Sequence, residues 1–117
     1  MISGLHAMFY SSDAEATRTF LRDVLELGSF DAGEGWLIFE LPAAELGSHP
    51  VGAHEDGHRP GAHELSFMTE DVEAAVARLT DKGVDCDPIQ DLGWGLVTRF
   101  DIPGGIRVQL YQARYSK

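Results

Sequence analysis

Phe9-Tyr10-Ser11-Ser12-Asp13-Ala14-Glu15-Ala16 and Phe67-Met68-Thr69-Glu70-Asp71-Val72-Glu73-Ala74 are two versions of one segment, lying 58 residues apart. The same offset carries Leu21 onto Leu79, Asp23 onto Asp81 and Gly35-Trp36 onto Gly93-Trp94. An apolar run, a polar cap, a helical stretch and a Gly-Trp pair thus occur twice in 117 residues, so the chain reads as two copies of one supersecondary unit. Two equivalent units that face each other make a cleft with paired walls, where groups from both halves converge.

Around each repeated segment the local signals agree. Leu5 to Tyr10 is short, apolar and partly aromatic, which predicts a strand, and Ser11-Ser12-Asp13 ends it. Ser12 with Glu15 has the form of a capping box, with Asp13 as the alternative cap. Ala16, Phe20, Leu21, Val24 and Leu27 then form a helical stripe that ends near Gly28. In the second copy His63 to Met68 is the strand, Thr69-Glu70-Asp71 the cap, Val72, Ala75, Val76 and Leu79 the stripe, and Gly83 the stop. After each helix the period falls to two. Strands are expected at 29–32, 36–41 and 45–49, and again at 85–90, 96–102 and 107–112, divided by Gly- and Pro-containing breakers. Each half reads as βαβββ, giving an α+β domain of module 1–52 and module 62–117. The joining segment 53–61, rich in Gly, His and acids and without a period, reads as a linker.

Composition narrows the partners. A chain of 117 residues suits one domain that hides roughly two thirds of its unfolded surface. The net charge of −10, spread along the chain, opposes binding to nucleic acid, which depends on clustered Lys and Arg. No apolar run approaches the roughly 20 residues of a membrane helix, and the opening residues lack the pattern of a secretory signal, so a cytoplasmic protein is expected. Cys86 is the single cysteine; flanked by Asp85 and Asp87, it reads as an inert, half-buried strand residue. His49, His54, His58 and His63 gather in or beside the linker, but their spacings match no compact zinc motif.

Over almost its whole length the sequence resembles the vicinal oxygen chelate superfamily, the group of glyoxalase I, extradiol dioxygenases, fosfomycin-modifying enzymes and bleomycin-binding proteins. The resemblance is carried by 5–13, by Phe20-Leu21-Arg22-Asp23-Val24-Leu25, by Glu64-Leu65-Ser66-Phe67 with Asp71-Val72, and by Pro103-Gly104-Gly105-Ile106-Arg107-Val108-Gln109-Leu110-Tyr111. It implies two tandem βαβββ modules that form a half-barrel cleft, in a homodimer; the modules pair either within one chain or across two. It also implies that first-strand and last-strand side chains hold one divalent metal. The matching positions are His6 and Glu64 on first strands, Glu45 and Gln109 on last strands. Glu64 stands where many members have His, and Gln109 where many have Glu. His63 is one residue out of place, and in a strand that turns it to the opposite face. One His, one Gln and two Glu suit Zn, Ni, Mn or Mg.

On this reading the metal would stabilise an oxyanion on a small oxygen-bearing substrate, as in an isomerase or lyase. Glu45 or Glu64 would move a proton, with His49 as a second base. Met8, Tyr10 and Ser66 share faces with His6 and Glu64 and are expected to line the cleft. The resemblance also carries a metal-free alternative, a small-molecule or drug-binding protein, for which Trp36, Trp94 and Phe39 would supply aromatic walls. Each residue also has a plainer reading: His6 as a core histidine, the tryptophans as packing. Glu64 is the hardest to dismiss. A carboxylate within an apolar strand needs a metal, a cationic group or solvent beside it.

Overall fold

In the computed structural model, residues 1, 6–45, 47, 60 and 63–115 are described. Two ten-residue helices form where the apolar stripes predict them, α1 at Ala14–Asp23 and α2 at Val72–Asp81. Both are capped by the equivalent aspartate. Asp13 Oδ1 accepts from the Ala16 N–H at 3.1 Å, and Asp71 Oδ1 from the Ala74 N–H at 3.1 Å. The cap of α1 is therefore Asp13 rather than Ser12; the neighbouring Ser11 Oγ accepts from the Asp13 N–H at 2.9 Å. Helix α1 stops at Asp23, short of Gly28, with Glu26 in the left-handed region at φ 59°. There Lys82 donates to the Val24 carbonyl at 3.0 Å and pairs with Glu26, as Arg78 also does. This satisfies backbone oxygen that the end of a helix leaves without an intrahelical partner.

The second half is a complete βαβββ unit. Its strands β3 (Ser66–Met68), β4 (Gln90–Asp91), β5 (Gly95–Ile102) and β6 (Ile106–Ala113) lie in the order β3-β6-β5-β4, with β3 parallel to β6 and the other pairs antiparallel. Parallel pairing of β3 and β6 requires a crossover, which α2, β4 and β5 supply. Strand β4 is shorter than the expected 85–90. Asp87 still exchanges bonds with β5, its N–H donating to the Arg99 carbonyl at 2.9 Å and its carbonyl accepting from Thr98 Oγ1 at 2.7 Å, but Pro88 brings no N–H to extend the ladder.

Among the described residues the first half contributes α1 and a hairpin of β1 (Ser29–Asp31) and β2 (Leu37–Phe39). Residues 6–10, expected as a strand, join no ladder; a strand persists only where a neighbour takes its N–H and C=O groups. Most of the expected strand 45–49 and of linker 53–61, and with them His49, His54 and His58, lie outside the described residues.

Alternation along β5 and β6 puts Phe100, Ile102, Val108 and Leu110 on one face, where they pack with Val72 and Leu79 of α2 and Leu21 of α1. Val72 and Phe100 are almost wholly buried, and burial of each such side chain stabilises the fold by about 1.5–3 kcal/mol. The first N–H of α2, on Val72, donates to Gln112 Oε1 at 3.1 Å and ties the helix to β6. The turn after β5 holds the halves together. Thr17 of α1 donates to the Pro103 carbonyl, and the Ser12 N–H to the Gly104 carbonyl at 3.1 Å. Gly104 has φ +109°, and a Cβ there would strike the Ser11 hydroxyl and lie 2.7 Å from Thr17 Oγ1. Any other residue strains the backbone and forces Ser11 and Thr17 to move.

Candidate functional site

With both helices on one face of the sheet, the other face carries the side chains that the core does not take. Register partners define it row by row. Ser66 on β3, Gln109 on β6 and Arg99 on β5 lie side by side, and the next row is Met68, Tyr111, Val97 and Gln90. Glu64 precedes β3 by one pleat and belongs to the same face as Ser66.

The first row is one hydrogen-bonded chain. Arg99 Nη2 donates to Gln109 Oε1 at 2.7 Å, and Gln109 Nε2 donates to Ser66 Oγ at 3.1 Å. Because a guanidinium can only donate, the Gln109 atom that faces it must be the oxygen, which settles the amide's orientation. Gln109 is 8% exposed, so both ends of its amide need partners. Arg99 Nη2 also lies 3.7 Å from Glu64 Oε1, with both side chains about half exposed. An ion pair so placed is worth at most about 1 kcal/mol. Beside Arg99 opens a cleft of about 170 Å³ bordered by Asp87, Pro88, Gln90, Leu92 and Val97.

Above the second row, Glu45 Oε1 accepts from the Tyr111 hydroxyl at 2.8 Å and from the Tyr115 hydroxyl, and the two phenols are 2.9 Å apart. Burial, followed by the bonds to Tyr115 and Glu45, pushes the Tyr111 phenol far above its ordinary range; the bond to Glu45 raises Tyr115. Both phenols therefore stay protonated. Trp94 meets Tyr111 edge to face, with centroids 5.2 Å apart, and remains half exposed. Its counterpart Trp36 instead lies under the Arg18 guanidinium, 5.1 Å away, beside α1. Burial, then Asp85 and Asp87, raises the Cys86 thiol, in keeping with an inert cysteine.

The four residues expected as metal ligands are distributed differently from a coordination sphere. Glu64 and Gln109 come together, but around Arg99. Glu45 is held by tyrosines, and His6 lies on an exposed segment with Met8 and Tyr10. Among the described residues no three His, Cys, Asp or Glu side chains are grouped to hold a metal. A guanidinium stands between two members of this donor set, and Gln109 Oε1 accepts from it.

Arg99, Tyr111 and Tyr115 were not among the residues singled out from sequence. A signal for Arg99 was there. It interrupts the apolar run Leu96-Val97-Thr98-Arg99-Phe100 as Glu64 interrupts its own, and two such interruptions of opposite sign are candidates for each other.

An α+β chain whose second half is βαβββ, with a polar open sheet face, is the architecture of the glyoxalase-like proteins. The glyoxalase/bleomycin resistance protein/dioxygenase superfamily model matches residues 5–110, and the chain belongs to that superfamily. Among solved structures it is similar to a superfamily member from Sphaerobacter thermophilus, with 27% identity, a TM-score of 0.67 and coverage of 96% of this chain and 98% of that one. It is also similar to TnmS3, an antibiotic-binding protein from Streptomyces sp. CB03234, with 22% identity, a TM-score of 0.64 and coverage of 97% and 99%. A lactoylglutathione lyase from Agrobacterium tumefaciens shares the fold at 16% identity and a TM-score of 0.63, covering 89% and 88%. No curated protein matches the chain.

Proposed function

We propose that this protein binds a small molecule reversibly on the open face of its second sheet, without a metal, and acts by holding the ligand rather than by transforming it. The observation that carries this reading is Arg99. Its guanidinium places a positive charge between Glu64 and Gln109, where the metal of the alternative reading would lie. Glu45, the other carboxylate considered as a proton carrier, accepts from two phenols that stay protonated, and this holds it above the second row. The resemblance in fold to an antibiotic-binding protein is compatible with this reading, and the fold is equally shared with a lyase.

In the same reading the protein works in the cytoplasm as a homodimer; among the described residues no helix is long and apolar enough to cross a membrane. Modules 1–52 and 62–117 joined by 53–61 remain the proposed organisation. Metal analysis of untagged protein tests the central claim, together with melting curves in added Ni, Mn, Zn and Mg. No stoichiometric metal and no rise in melting temperature are expected. A bound equivalent of metal that also raises the melting temperature would restore the metal-dependent enzyme built on His6, Glu45, Glu64 and Gln109.

A further inference from the structure

The first half of the chain touches the second sheet on both of its faces. On the helix side Leu21 of α1 joins the core, Thr17 donates to the Pro103 carbonyl, and Lys82 donates to the Val24 carbonyl at 3.0 Å. On the open side Glu45 lies against the second row, its Oε1 accepting from the Tyr111 hydroxyl at 2.8 Å and from the Tyr115 hydroxyl. The chain that leaves α1 and runs through β1 and β2 therefore returns on the opposite face of the sheet.

This return is lightly packed. The Glu40 N–H donates to the Gly28 carbonyl at 2.8 Å and fixes the chain just after β2. From Leu41 to Glu45 every residue is exposed, and Pro42-Ala43-Ala44 has little side chain to bury. Apolar burial therefore contributes little to holding these residues where they are. The polar contact at Glu45 is of the stronger kind, because hydrogen bonds to a carboxylate are about twice as strong as those between neutral groups. Its two donors are themselves in place: Tyr111 is buried in the sheet, and the Tyr115 oxygen lies 2.9 Å from that of Tyr111. A segment with few buried contacts and one strong polar contact at its end has two states, fastened and released.

We infer that Glu45, Tyr111 and Tyr115 form a latch that fastens residues 41–45 of the first half to the open face of the second sheet, and that release of Glu45 swings this segment away and widens access to Ser66, Gln109 and Arg99. The latch stands on the geometry alone; its use as a gate for a ligand rests on the small-molecule reading above.

The latch is tested without any ligand, by the distance between two nitroxide labels. One is placed at Ala43→Cys on the segment and the other at Leu92→Cys in the turn after β4, both exposed, in a Cys86→Ser background. Pulsed electron paramagnetic resonance should give a single narrow distance in this parent. Each hydrogen bond to the carboxylate shifts the equilibrium about tenfold, so loss of both should favour release by about a hundredfold. Glu45→Ala, and Tyr111→Phe combined with Tyr115→Phe, should each replace the narrow distance by a broad distribution extending to longer values. Tyr115→Phe alone, a change at an exposed residue, should give an intermediate result and covers the case in which the double phenylalanine variant fails to fold. A broad distribution already in the parent, or a narrow one that persists in Glu45→Ala, overturns the inference. Broadening by Glu45→Ala with no effect of the phenylalanine changes overturns it too, since the phenols would then not be what Glu45 is fastened to. None of these outcomes bears on whether a small molecule binds, so the two readings stand or fall separately.

Discussion

Arg99 and Gln109 face each other across β5 and β6, and the guanidinium holds the glutamine oxygen at 2.7 Å. Gln109 is buried and Arg99 half exposed, so the bond matters more to the glutamine than to the arginine.

Arg99→Met should therefore destabilise the fold by about 1–3 kcal/mol, the cost of leaving Gln109 Oε1 buried and unsatisfied. Adding Gln109→Leu should recover much of the loss. A double-mutant cycle in urea measures the coupling; additive losses would show that the pair is not coupled.

Gly104→Ala should cost about 2 kcal/mol or more, since it strains a backbone at φ +109° and drives a Cβ into Ser11 and Thr17. The same change at Gly105, also at positive φ but with open space around its Cβ, should cost less. Urea midpoints of the two variants give the comparison.

Asp13→Ala and Asp71→Ala each remove a cap, and each should cost about 1 kcal/mol. The helices are separate, so the double variant should lose the sum. Circular dichroism during denaturation reads both.

Alkaline stability should depend on Tyr111. Its folded phenol titrates above the value of about 10 that it has when unfolded. The folded state thus keeps a proton that the unfolded state loses, and the stability this contributes is complete below that value and declines as pH rises beyond it. Unfolding free energy measured from pH 8 to 11 should fall less steeply for Tyr111→Phe than for the parent protein. Identical slopes would remove Tyr111 as the cause.

Most of the second half was legible in the sequence, because its signals are local. The helix stripe from Val72 to Leu79, the Asp71 cap, the stop at Gly83 and the breakers at Gly93-Trp94-Gly95 and Pro103-Gly104-Gly105 act over a few residues each. The first half was less so: residues 6–10 have strand composition, but composition does not provide the neighbouring chain that a ladder requires. The repeat also grouped Glu64, Ser66 and Gln109, and these three do share one sheet face. It also equated Trp36 with Trp94, whereas one packs with Arg18 and the other with Tyr111. Duplicated sequence keeps local geometry and leaves the neighbours free to diverge.

The sequence by itself determined that a carboxylate at position 64, inside an apolar strand, must have a cation or water beside it, because desolvation of a charge is costly wherever the strand goes. It left three candidates for that role. The tertiary structure leaves Glu64 about half exposed to water and also sets Arg99 3.7 Å from it. Arg99 is 35 residues away along the chain and reaches Glu64 only because β6 inserts between β3 and β5, in a register that aligns Ser66, Gln109 and Arg99. Strand order and register depend on the packing of the whole core, so the cost of burying the carboxylate was written locally, while its neighbours were a property of the fold.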